Sequence, residues 1–172
     1  MAVKTSLRQF QQDLALRLAG AKSGQASAAR LGVQCGDDLW LVDLAEAGEI
    51  MPVPDMARVP LTKPWYCGLA NARGVLVSVI DFAAFTAARP TARGAENRLV
   101  LANARFGVNA ALLVSRVLGL RNPREFRAVE NAAGATPVPW EGQGWTDPAG
   151  ARWRELKLAS LVTAPAFLQV GR

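Results

Sequence analysis

The chain has 172 residues, with 51% hydrophobic and 20% charged content and a formal net charge of +6. That balance excludes a disordered or fibrous protein and supplies apolar material for one globular unit, or for two small subdomains sharing an interface. No stretch reaches the ~20 consecutive apolar residues needed to cross a bilayer, and Arg8, Gln9, Asp13 and Arg17 interrupt the start of the chain where a secretory signal would be continuously apolar. A cytoplasmic protein with no direct membrane insertion is expected.

Chemistry is bounded just as quickly. The sequence contains no histidine and only two cysteines, Cys35 and Cys67, so the commonest general base is missing and no ordinary zinc site can be assembled. The two thiols are expected to be free. No phosphate-binding Gly-rich signature occurs, because Gly142-Gln143-Gly144 lies in a Pro/Trp-rich stretch. The basic charge suits either nucleic acid or an acidic partner. Its arginines are dispersed, with no basic run of ~5 residues, which favours the acidic partner.

Leu7, Phe10, Leu14 and Leu18 recur at spacings that put them on one helical stripe, with Ser6 and Gln9 in a capping arrangement. This predicts a short amphipathic helix, followed by a Gly/Ser/Ala connector to residue 27. Leu31, Val33 and Cys35 then alternate, Gly36-Asp37-Asp38 supplies a turn, and 39–44 resumes, which predicts a β-hairpin. Trp40 is expected in the core. Glu49-Ile50-Met51 before Pro52 and Pro54 reads as an edge strand, since proline cannot donate to a central ladder. Pro64 to Ala70 predicts one helical turn. Further strands are predicted at 75–80, 98–103, 107–115 and 117–120, with a turn at 104–107 and a short helix at 82–88 capped by Asp81. Residues 122–151, with Pro123, Pro137, Pro139 and Pro148 and several glycines, read as a long irregular excursion pinned by Trp140 and Trp145. The chain is therefore predicted to be mostly β, and two hairpins each followed by further strands would fit two small barrels.

Residues 68–82, Gly-Leu-Ala-Asn-Ala-Arg-Gly-Val-Leu-Val-Ser-Val-Ile-Asp-Phe, resemble the signature G-x-x-N-x-R-G-x-x-x-P-V-x-D-L of the CheW-like chemotaxis adaptor family. The match falls on Gly68, Asn71, Arg73, Gly74, Val79 and Asp81, with Ser78 in place of the proline. Glu49-Ile50, Pro60 and Trp65 recur at the family's spacing. Residues 111–117 and 156–162 resemble two later strands of the family, each with its acidic position lost, to Ser115 and Lys157. The N-terminal helix, the Trp-rich excursion and the ending at 166–170 look most like the twitching-motility branch of that family.

The resemblance implies an all-β fold of two SH3-like barrels, with an added N-terminal amphipathic helix and a short C-terminal helix. Residues 1–27 would be helix and linker, and 28–170 the CheW-like domain. It implies a non-catalytic adaptor, without cofactor or metal, that links the cytoplasmic tip of a methyl-accepting chemoreceptor to the regulatory domain of a CheA-type histidine kinase. The first barrel would meet the kinase, and the groove between barrels the receptor. Glu49 would pair with Arg73 to brace the turn formed by Asn71, Arg73 and Gly74, and Ile50 and Met51 would form an apolar, kinase-facing strip on the first barrel. The alternative reading is a basic β-barrel that binds nucleic acid.

Overall fold

A computed structural model describes residues 29–130 and 138–172 of the chain. The amphipathic stripe at 6–19 and its connector lie outside the described residues. The first strands, β1 (Arg30–Cys35) and β2 (Asp38–Asp43), form the expected hairpin, with Gly36 at φ 62° in its turn. Then follow β3 (Ala47–Pro52), β4 (Met56–Ala57), β5 (Tyr66–Ala72), β6 (Val75–Asp81), helix α1 (Phe82–Ala87), β7 (Arg98–Ala102) and β8 (Ala110–Val114). The chain continues through β9 (Arg116–Arg121), β10 (Arg127–Val129), β11 (Glu141–Thr146) and β12 (Arg152–Leu156), and ends in two short helices, α2 (Leu158–Leu161) and α3 (Pro165–Leu168).

The strands form two six-stranded sheets. The first has the order β10-β11-β12-β2-β1-β9 and the second β3-β7-β8-β6-β5-β4. Each contains one parallel pair, β12 with β2 and β6 with β8. The second sheet is built from one contiguous stretch, whereas the first is assembled from the two sides of it. One unit is therefore inserted into the other along the chain.

Alternation along the strands divides the interior in two. Leu31, Val33, Trp40 and Val42 of the first sheet pack with Ile80, Val100, Leu112 and Val114 of the second, with Phe82 of α1, and with Leu158, Leu161 and Phe167 of the terminal helices. Val77, Val79, Leu99, Ala111 and Leu113 point the other way, into a second cluster joined by Ala70 and Ala72 and flanked by Met51 from β3 and Met56 from β4. Strand β8 is buried along its whole length because both of its faces are covered. Strands β3 and β4 end the sheet at opposite sides yet flank one cluster, so the second sheet coils around it.

Two local expectations need correction. Residues 66–72 form a strand, not a helical turn. Gly68, Ala70 and Ala72 are buried on one face and Asn71 is exposed on the other, a period of two that outweighs the helix-start signal of Pro64. Gly68 lies at φ 131°, and a Cβ there would fall 2.2 Å from the carbonyl oxygen of Ala57, so the glycine marks a close approach of β4. Within 122–151, residues 127–129 and 141–146 are paired strands rather than irregular chain. Gly142 and Gly144 are buried within β11, where sequence alone reads glycine as a breaker. Trp140 packs against Phe85 with ring centroids 5.3 Å apart, and Trp145 pairs with Trp153 in the register of β11 and β12.

Candidate interaction surface

Strand β3 pairs with β7 alone and is an edge strand, as its prolines require. A register shift between Ala47 and Ile50 disrupts its ladder locally. Glu49 and Met51 are half-buried while Ile50 and Pro52 are exposed. The expected apolar strip is therefore split across two faces: Met51 packs into the second cluster, and Ile50 is left to solvent at 38% exposure.

Ala72 and Val75 pair across a two-residue turn whose central residues, Arg73 and Gly74, have φ of 51° and 87°. A hairpin turn with both central residues at positive φ follows the right-handed twist of its strands. Asn71 accepts a hydrogen bond from the Gly74 N–H through Oδ1 at 2.7 Å. Arg73 itself is left-handed, a conformation costing roughly 1–2 kcal/mol outside glycine, and no residue type in the sequence signals it. Arg73 Nε lies 2.7 Å from Glu49 Oε1. In the sheet order the turn is three to four strand spacings from β3, roughly 14–19 Å if the sheet were flat, more than the two side chains span. The ion pair is made across the coil of the sheet.

Glu49, Ile50, Met51, Asn71, Arg73 and Gly74 are thus brought together, on the second sheet and not on the unit containing β1 and β2. Val75 and Leu76, at the hairpin tip, are 48% and 59% exposed. They lie beyond the β6–β8 pairing, which begins at Ser78.

Asp81 caps α1 as expected, accepting the Ala84 N–H, and it also accepts the N–H and hydroxyl of Thr91, both at 2.7 Å. Ser115 accepts the Gly36 N–H through its hydroxyl at 2.9 Å, tying β9 to the first hairpin. Lys157 makes no side-chain cap for α2, and Glu46 supplies one from the far side of the chain, accepting the Leu158 N–H at 2.7 Å. No local signal in the sequence indicates that contact.

Both cysteines are free. Burial pushes the Cys67 thiol up to about 11, with Asp81 adding to it, and burial drives Cys35 higher still. Asp147 is held below its usual range by the indole N–H of Trp153, which donates to it at 3.0 Å. Many cations are spoken for: Arg30 pairs with Asp43 and Glu155, Arg89 with Asp37, and Arg154 with Asp38 and Glu141 while covering the Trp40 ring. Among the described residues no group of His, Cys, Asp or Glu is arranged to hold a metal ion, and no helix is long and apolar enough to cross a membrane.

The class defined by these features is a two-sheet β domain, one sheet inserted in the other, with a braced turn and exposed apolar residues at one end of the inserted sheet. The family model of the CheW-like domain matches residues 30–142, and the chain belongs to that family. Over 110 residues it is 28% identical to Protein PilI of Pseudomonas aeruginosa strain PAO1, a match covering 62% of this chain and 61% of that relative. The fold is similar to the crystal structure of the scaffolding protein TtCheW from Thermoanaerobacter tengcongensis, with a TM-score of 0.65 at 16% identity, covering 81% of this chain and 95% of that one.

Proposed function

We propose that this protein is a non-catalytic cytoplasmic adaptor that couples a methyl-accepting chemoreceptor to a CheA-type histidine kinase, in the signalling that controls type IV pilus twitching motility. The observation that carries the reading is the family match over 30–142, within which the signature residues fold as one hairpin and a capped helix. The similarity to PilI supports the twitching branch. The coiling of the second sheet supports reading each unit as a small SH3-like barrel, with 28–170 as the working domain and 1–27 as an appendage. Ile50 on β3 and Val75 and Leu76 at the hairpin tip are exposed apolar residues open to a protein partner.

Co-sedimentation of the full chain with the purified kinase and a receptor cytoplasmic fragment from the same genome tests this reading. A ternary complex is expected, and Ile50→Asp is expected to remove the kinase from it while leaving circular dichroism unchanged. Failure of the wild-type chain to bind either partner would overturn the adaptor reading. An unchanged complex with folded Ile50→Asp would overturn the placement of the kinase contact.

A further inference from the structure

A cleft of about 550 Å³ opens between the loop after β4 and the loop before β7, within the size range of ligand sites. It shares no lining residue with the Glu49–Arg73 turn. Three cations line it, Arg58, Lys63 and Arg93, and none has an acidic group within ion-pair distance among the described residues. The one carboxylate in the lining is Asp81, buried and already accepting three hydrogen bonds. Asp55 and Glu96, the acids nearest along the chain, do not line the cleft. Lys63 Nζ lies 5.7 Å from the centroid of the Trp65 ring, and together with Arg58 and Arg93 it gives the recess positive charge with no counter-charge of its own, which makes the site complementary to an anion.

Both walls are held in place before any ligand arrives. Thr91, two residues before Arg93, is tied to Asp81, and on the other side the Gly94 N–H donates to Asn97 Oδ1 at 2.7 Å. Opposite, the Lys63 N–H donates to the Val170 carbonyl at 2.8 Å and Thr62 bridges to Gly171, so the C-terminal residues clamp that loop. Leu61, within it, is left-handed at φ 58°. Fixed walls lower the ordering cost of binding. The lining is not purely polar: Met56, Val59 and Leu113 contribute apolar surface. Met56 also belongs to β4, the last strand of its sheet, whose outer backbone edge is unpaired among the described residues.

We infer that this cleft binds an extended acidic peptide segment of a partner protein, its carboxylates meeting Arg58, Lys63 and Arg93 and its backbone adding to the open edge of β4. A free small anion would use the charges but not the edge or the apolar lining. A nucleic-acid duplex is too wide for a recess of this size. An extended chain uses all three, because alternate side chains face the cations while the main chain pairs with the edge.

The test is fluorescence anisotropy of the full chain with a fluorescein-labelled hexapeptide alternating glutamate and valine. Saturable binding that weakens with added salt is expected. The variant Arg58→Glu, Lys63→Glu, Arg93→Glu should weaken it by about tenfold or more, whereas Arg105→Glu with Arg124→Glu, which do not line the cleft, should leave it unchanged. The same peptide with glutamine for glutamate should not bind. Should the triple variant lose its circular dichroism, Arg93→Ala alone, at an exposed loop position, should still weaken binding measurably. Equal binding by the folded cleft variants, equal displacement of the label by citrate at matched carboxylate concentration, or equally tight binding of a single-stranded oligonucleotide of the same charge would each overturn the inference.

Discussion

Arg73 occupies a left-handed backbone position, donates to Glu49 and remains 79% exposed at its side chain, while Glu49 is 34% exposed. An exposed pair of this kind gains little in water, so its stabilisation should be small even though its geometry is good. A double-mutant cycle with Glu49→Ala and Arg73→Ala is expected to return a coupling of roughly 0.2–1 kcal/mol. Simple additivity would show that the pair does not brace the turn. Arg73→Gly should by contrast lose the pair but relieve the positive φ, and so destabilise less than Arg73→Ala. The two thiols carry a pH prediction. Each is raised above its ordinary 9.0 by burial, so the folded state holds the proton more tightly than the unfolded chain. Their contribution to stability is complete below that value and is lost as pH rises through it toward the folded values. The melting temperature is expected to fall from about pH 9 upward, and to fall less in Cys35→Ala than in the wild type. Ellman's reagent added at pH 8 to the folded protein should label neither thiol appreciably.

At the scale of elements, the shortest strand, β4, depends on a single glycine on its neighbour. A Cβ on Gly68 would stand 2.2 Å from the Ala57 carbonyl oxygen and 2.9 Å from its carbon, both backbone atoms, and φ of 131° is foreign to other L residues. Neither strain can be relieved by turning a side chain. Gly68→Ala is expected to destabilise the protein by about 3 kcal/mol or more and to speed amide exchange first at residues 56–58. Gly74, in the neighbouring turn, has open space around its Cβ position and only its φ of 87° to defend. Gly74→Ala should therefore cost less, on the order of 1–2 kcal/mol. Equal losses at the two sites, measured by urea denaturation, would show that β4 is not held by close approach. Helix α2 makes a related point: with Lys157 unable to cap it, four residues of helix rely on Glu46 of a distant loop.

For the whole molecule, the decisive feature is that the larger core belongs to neither sheet alone. Trp40, Leu31 and Val33 from the first sheet and Ile80, Val100 and Leu112 from the second share it, and the terminal helices close it. Separating the sheets would expose that surface on both, so the described domain is expected to unfold as one cooperative unit. Tryptophan fluorescence, which reports mainly on the first sheet and its surroundings through Trp40, Trp145 and Trp153, should follow the same urea curve as far-ultraviolet circular dichroism. Two separated transitions would overturn this view. A fragment spanning 45–116, which contains every strand of the second sheet, should not fold stably by itself despite its contiguity, because one face of β6, β7 and β8 would lose its cover.

Features under short-range control were already readable in the sequence. Period-two alternation located the first hairpin and β6 to β9, the prolines flanking β3 made it an edge, Asp81 announced the cap of α1, and the run from Gly68 to Phe82 carried the family. The turn was legible because Asn71, Arg73 and Gly74 stand close together in the chain. Tertiary structure alone decided which residues meet across long loops. It converted Pro64 to Ala70 from a predicted turn into β5, since the small residues 68, 70 and 72 fit beneath β4 and inside the coiled sheet. It placed two strands in a glycine- and proline-rich stretch, where pairing partners outweighed local propensity. It gave Glu46 to Leu158. It gathered Arg58, Lys63 and Arg93 into one cleft as well. Local propensity and alternation extend only a few residues along the chain, whereas the coil of a sheet joins residues dozens of positions apart, and no pattern in one sequence encodes that distance.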